Sequence, residues 1–159
     1  VSLYRDHSIF IPVATPGFIA EHGPVEHPDD LKRLTGFSYT GPIRQKTCVL
    51  QRNDQKAVVK WGKEIEIADI LAVKQAVLSG KGVTLDLPIL HCADELIAGN
   101  LVPILSGWRR PSIDCFAVTT ESGYKIRRIR TFLDWFVERS VRLARERDGK
   151  VAQKAGLLL

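Results

Sequence analysis

Four histidines, three cysteines and eighteen carboxylates are the groups of this 159-residue chain that could carry acid–base, nucleophilic or metal chemistry. Their spacing does not assemble any of these. His7, His22, His27 and His91 are too scattered for a ligand set, and a general base needs a partner within hydrogen-bond reach that no local pattern supplies. Cys48, Cys92 and Cys115 are odd in number and far apart, which gives neither a disulfide framework nor a zinc spacing, so reduced, mostly buried thiols are expected. The chain contains no GxSxG elbow, Walker phosphate loop, GxGxxG fingerprint or HExxH pair. Gly80-Lys81-Gly82 follows a predicted helix and precedes a predicted strand, the reverse of the order a dinucleotide site requires, and reads as a turn. Neither a cofactor nor a metal is expected.

The remaining polar candidates have a structural and a functional reading each. Asp29-Asp30 and Asp94-Glu95 fall in predicted first turns of helices, where the positive end of the dipole accounts for them. Asp69 is placed as an N-cap. Asp86 interrupts an apolar strand: alternation puts Val83, Leu85 and Leu87 on one face and Thr84 with Asp86 on the other, so it is either an outward-facing acid or a polar group lining a cleft. Arg44 lies in a loop after a strand, either solvated or placed to hold a carboxylate in its fork.

The elements that must position these groups alternate between strand and helix. An apolar strand is expected over 8–14, then a helix opened by Thr15-Pro16 and closed at Gly23, and a second opened by His27-Pro28. Phe37-Ser38-Tyr39-Thr40 reads as a strand ending in the loop Gly41-Pro42-Ile43-Arg44, and a hairpin is expected around Arg52-Asn53-Asp54-Gln55. The strand 64–68 hands over at Asp69 to a helix ending near Gly80; strand 83–87, helix 91–98, strand 101–105 and strand 113–118 follow. A long helix over 125–147 carries Ile129, Leu133, Phe136 and Val137 at helical spacing. This order argues an α/β fold with crossover connections.

Composition sets the outer bounds. With 45% apolar and 26% charged residues the chain can bury a core, and disordered, collagen-like and disulfide-dense classes are excluded. No apolar run reaches the roughly 20 residues of a membrane span, and the first residues lack a signal-peptide layout, which places the protein in the cytoplasm. The net charge of +5 is uneven: residues 1–106 carry 11 basic and 12 acidic groups, residues 107–159 carry 12 and 6. Much of that basicity falls on the outer faces of the long helix, which reads as a solvated face before it reads as a nucleic-acid surface. A start on Val1 and the absence of Met suggest a piece of a longer protein.

Four segments in register resemble LysR-type transcriptional regulators. Thr15-Pro16-Gly17-Phe18-Ile19-Ala20-Glu21-His22-Gly23 with Pro28-Asp29-Asp30-Leu31 is similar to the family's Ser-Pro-Ala-Tyr-Leu, His-Gly and Pro-Glu-Asp-Leu passage. Ala68-Asp69, a helix and Gly80-Lys81-Gly82-Val83 resemble its Asn-Asp, helix, Gly-x-Gly-Ile. The run from Asp94 to Leu105 and the segment from Ile129 to Glu138 match two further motifs, and the span from Gly82 to Pro88 is one residue longer than the family's spacing. The resemblance implies the α/β effector-binding domain of type 2 periplasmic-binding-protein fold. Residues 1–112 would form the second lobe, with a first crossover strand near 8–14. Residues 113–159 would supply the second crossover strand and the C-terminal helix of the first lobe, and the N-terminal helix-turn-helix domain would be absent.

The same resemblance implies a small-molecule effector, with carboxylates among the candidates, bound at Thr40, Gly41, Pro42, Ile43, Ala68 and Asp69, and the loop arginine Arg44 is added to this set as a fork for an acidic effector. DNA would be contacted only through the missing domain, no membrane would be involved, and the protein would be a homo-oligomer without catalytic activity. A stand-alone small-molecule-binding protein on the same fold and an α/β enzyme are the alternatives; the first needs an export signal, the second a nucleophile and base.

Overall fold

The computed structural model describes residues 1–41 and 48–157. Its strands are β1 (Ser2–Ser8), β2 (Val13–Ala14), β3 (Thr35–Tyr39), β4 (Val49–Arg52), β5 (Gln55–Val58), β6 (Lys63–Ile67), β7 (Val102–Pro103) and β8 (Ile113–Val118). The helices are α1 (Pro16–His22), α2 (Ile70–Leu78), α3 (Ile89–Ala98), α4 (Glu121–Lys125) and α5 (Arg127–Ala155), with a 3-10 helix over Pro28–Arg33.

A mixed sheet organises most of the chain. β3 and β6 are parallel, with Phe37 opposite Ile65. Residue 83 continues the sheet on the other side of β3, where the Phe37 amide donates to the Val83 carbonyl (2.8 Å) and the Val83 amide to that of Thr35 (3.0 Å). Thr84 in turn pairs antiparallel with Val13, and β2 pairs with β7. The order across is β6, β3, the 83–87 segment, β2 and β7. Gly82 lets the chain enter this sheet closely: a Cβ there would sit 2.6 Å from the Thr35 carbonyl and 2.8 Å from the Phe37 ring. That close approach, with Gly80 at φ +71°, explains the Gly-Lys-Gly turn without a phosphate.

Both faces of the sheet are covered, which makes two cores. One joins Val73 and Val77 of α2, Ile89, Cys92 and Leu96 of α3 and Val151 of α5 to Val13, Phe37 and Leu87. The other joins Phe18, Leu31, Leu34, Leu50 and Trp108 to Ala14, Val83 and Leu85. Leu87 is therefore on the opposite side from Val83 and Leu85, against the expected alternation. The cause is a bulge: Phe10 bridges Pro88 while Val13 bridges Thr84, so four steps on one strand face three on the other. The bulge lies beside Asp86.

Caps follow the local sequence. Thr15 accepts from the Phe18 amide, with Pro16 at the first helical position and Gly23 at φ +81° closing α1. His27 caps the 3-10 helix, and the Asp30 carboxylate accepts from the amides of His27 (2.9 Å) and Glu26 (3.0 Å). Those backbone donors, His27 foremost, hold Asp30 below the usual carboxylate range, and Lys32 does the same for Asp29. Asp94 and Glu95 are not in a first turn, because α3 begins at Ile89; Glu95 instead pairs with Lys74 of α2 at 2.6 Å.

At the ends of the chain, β8 pairs antiparallel with residues 2–8, and residues 10–14 pair inside the mixed sheet, where their apolar side chains on both faces are buried. The long helix reaches Ala155 rather than 147, after the short α4. Its buried residues Leu133, Ala144 and Val151 share one face, and Val151 is fully buried against the α2–α3 core. Arg147 lies between Asp148 (2.7 Å) and Asp6 of β1 (4.0 Å).

Val151→Asp is expected to lower unfolding free energy by about 3–5 kcal/mol, because it buries an unpaired charge; a urea melt of the intact chain measures it. Burial pushes the Cys92 thiol up to about 12, from an ordinary 9.0. Below pH 9 the thiol is protonated in both states and its contribution is fully present; as pH rises from 9 to 12 the unfolded chain ionises first and stability is lost. Iodoacetamide at pH 8 is accordingly expected to leave Cys92 unmodified in the folded chain and to react after urea unfolding, read by peptide mass.

Candidate functional site

The parallel pairing of β3 and β6 ends both strands at one edge of the sheet, which is where open α/β sheets take ligands. Tyr39 is opposite Ile67, and the Thr40 amide donates to the Ile67 carbonyl at 3.0 Å. Thr40-Gly41 and Ala68-Asp69 thus leave the sheet side by side. Thr40, Ala68 and Asp69 are exposed and Gly41 is half-buried beneath the Tyr39 ring, whose hydroxyl end occupies the space a Gly41 side chain would need. Pro42, Ile43 and Arg44, the rest of the expected site, lie outside the described residues.

Asp69 is already engaged. Its carboxylate accepts from the Ala72 amide at 2.8 Å as the N-cap of α2. A helix N-terminus favours an anion.

A second polar group meets the same edge. Asp86, at the bulge, is buried rather than outward-facing: its Oδ2 accepts from the Tyr39 amide at 2.8 Å, and its Oδ1 forms an ion pair with Arg110. The side chains of Asp86 and Arg110 are only 6% and 11% exposed, and the Arg110 guanidinium lies 4.9 Å from the Phe10 ring centroid. The Asp86 amide donates to Thr84 Oγ1 (3.1 Å), which donates to the Phe37 carbonyl (2.7 Å). The sequence flagged Asp86 but gave no sign of Arg110 as its partner, 24 residues away. The signal available was an acid in an apolar strand.

A cavity of about 890 Å³ lies elsewhere, along the β7 edge, lined by Phe10, Val25, Gln51, Trp108, Arg110 and Leu157 among others. It shares Arg110 with the pair just described and includes none of Thr40, Gly41, Ala68 or Asp69. We place the candidate site at the strand ends, because backbone donors and polar termini converge there. No group of three or more metal-ligating side chains occurs among the described residues, and among them no helix is long and apolar enough to cross a membrane.

Comparison with known proteins agrees with this architecture. The family model described as LysR substrate binding domain matches residues 3–140. The HTH-type transcriptional regulator PtxR of Pseudomonas aeruginosa is 34% identical over 124 residues, which cover 78% of this chain and 39% of PtxR. The probable HTH-type transcriptional regulator SinR of Salmonella typhimurium is 27% identical over 132 residues, 79% of this chain and 40% of SinR. The chain thus spans about 40% of the length of these relatives. In fold, full-length AphB of Vibrio cholerae superposes with a TM-score of 0.75 at 20% identity, covering 88% of this chain and 48% of AphB. CrgA of Neisseria meningitidis gives 0.74 at 22% identity, covering 88% and 47%.

Asp69→Ala is expected to cost about 1 kcal/mol of stability through the lost cap, and Asp69→Asn a few tenths at most, as measured by chemical denaturation.

Proposed function

Because this chain belongs to the LysR substrate-binding domain family, a family of transcriptional regulators rather than enzymes, we propose that it senses a small-molecule effector and catalyses no reaction. The observation that carries this reading is the adjacent exit of β3 and β6, which sets the Thr40 loop beside the capped start of α2. Exposed strand termini beside the N-terminus of α2, with Arg44 nearby in sequence, suit an acidic effector held by charge-assisted hydrogen bonds. We assign the effector contacts to Thr40, Gly41, Pro42, Ile43, Arg44, Ala68 and Asp69.

The division of labour follows from the same reading. We assign residues 1–112 to the effector-binding lobe and residues 113–159 to the second crossover strand and the C-terminal helix of a first lobe, a helix whose second half also packs against α2 and α3. Phe116 and Val118 of β8, with Ile126, Phe132 and Trp135 at the start of α5, expose large apolar side chains that such a lobe would cover. DNA would be bound by another part of the whole regulator, which would act in the cytoplasm as a homo-oligomer.

Titration of the 15N-labelled chain with benzoate and with uncharged benzamide tests the site. Saturable shifts of the Thr40, Gly41, Ala68 and Asp69 amides by the acid are expected, with Arg44→Ala weakening binding by about 1–3 kcal/mol. Shifts confined to Leu105 and Trp108 would move the effector to the β7 cavity, and a response equal for acid and amide would remove Arg44 from the site.

A further inference from the structure

We propose that the turn of α5 from Arg147 to Val151 is a strap between the β1–β8 pair and the α2–α3 core, with Gly149 as the point where it yields. Its effect on effector response rests on the sensing reading above; the strap itself does not.

β1 and β8 form a two-stranded sheet of their own, apart from the mixed sheet. The chain passes from β1 into the mixed sheet at residues 9–10, where the Ile89 amide donates to the Ile9 carbonyl (2.8 Å) and Phe10 bridges Pro88. It returns to β8 from Arg110, which is paired with Asp86. Two short connections leave the angle between the sheets to whatever packs across them, and α5 packs against both β1 and α3. Arg147 comes to 4.0 Å from Asp6 of β1. Val151, one turn later on the same face, is fully buried in one cluster with Val73, Val77, Cys92 and Leu96. The β1–β8 pair therefore turns against the mixed sheet only if this turn of helix bends or Val151 leaves its seat.

Gly149 lies between the two contacts and weakens the helix there. Glycine is the least favourable residue of a helix interior after proline. Packing does not require it at this position, which is exposed and where an added Cβ would meet nothing within 4 Å. The seat is narrow as well: Val151 is fully buried, against 5% exposure for Ala144 and 8% for Leu133, the other buried residues of α5. Arg145, Lys150 and Lys154 are exposed, so the turn stays solvated when it lifts. Opening of this kind is local and leaves the second core, on the other face of the sheet, intact. The strap lies past residue 140, where the family match ends. On the sensing reading β8 leads toward the first lobe, and the strap sets the angle of that lobe until effector contacts outweigh it.

Backbone residual dipolar couplings of the intact 15N-labelled chain, without ligand, test the strap. In the unsubstituted chain the amides of 2–8 and 113–118 are expected to share one alignment tensor with those of 35–39 and 63–67. Gly149→Pro removes a helix hydrogen bond and clashes with the preceding turn. It is expected to give the β1–β8 pair a separate, smaller tensor. Gly149→Ala is expected to keep the shared tensor and to slow hydrogen exchange of the Val151 amide about fivefold, the Gly-to-Ala difference in helix preference. Val151→Ala, which empties the seat and leaves the helix continuous, is expected to reproduce the loss seen with proline in part.

Separate tensors in the unsubstituted chain would show that nothing is strapped. A shared tensor in Gly149→Pro, with loss confined to α5 beyond residue 145, would show that the connections at 9–10 and 110–112 fix the angle by themselves. Either result overturns the proposal. Couplings of 35–39 and 63–67 that collapse together with those of the β1–β8 pair report global unfolding and also overturn it. Should Gly149→Pro not fold at all, Val151→Ala decides by the same couplings, and an unchanged shared tensor rejects the strap. Failure of benzoate and every other acid to bind would overturn the sensing reading and leave this result standing.

Discussion

Residues 83–87 are confined on both edges and both faces, and the rest of the molecule is arranged around that confinement. β3 binds one edge in parallel and residues 11–13 bind the other antiparallel, while the two hydrophobic cores close over the faces. Backbone donors and acceptors buried in this way must be paired within the protein, which fixes the register of every neighbouring strand. β3 and β6 end together because both are measured from this centre. Gly82 at its entrance and the bulge at its exit are the two points where a regular strand would not fit.

A buried ion pair at the exit is a poor source of net stability. Desolvating Asp86 and Arg110 offsets much of their attraction, and an apolar replacement of similar volume would often serve as well. The pair instead imposes geometry: one carboxylate satisfies a strand-end amide and a distant guanidinium at once, so both must be in place for either to be solvated.

The long helix is the other element that reaches across the molecule. Its first half leaves Phe132 and Trp135 exposed, while its second half, after the family match ends at residue 140, inserts Val151 into the α2–α3 core and sets Arg147 near Asp6. A helix of 29 residues spans about 43 Å at 1.5 Å per residue, so one element packs against both α3 and β1. Basic side chains on its outer face are compatible with solvent, as its amphipathic spacing required.

The amino-acid sequence by itself determined what depends on neighbouring residues. Thr15-Pro16 and Gly23 bounded α1, Asp69 capped α2, the turn at Asn53-Asp54 closed a hairpin, and the ordered motifs identified the family. These are interactions over a few residues, and side-chain type settles them. Tertiary structure alone decided which face Asp86 would take and which cation would meet it. The alternation that sent it outward assumed a regular strand, and the extra residue broke the period; the bulge appears only when residues 83–88 are laid against residues 10–13. It also decided that residues 2–8 pair with β8, while 10–14 bury apolar groups on both faces and sit inside a covered sheet. Long-range pairing depends on which surfaces can be buried together, and no local spacing encodes that.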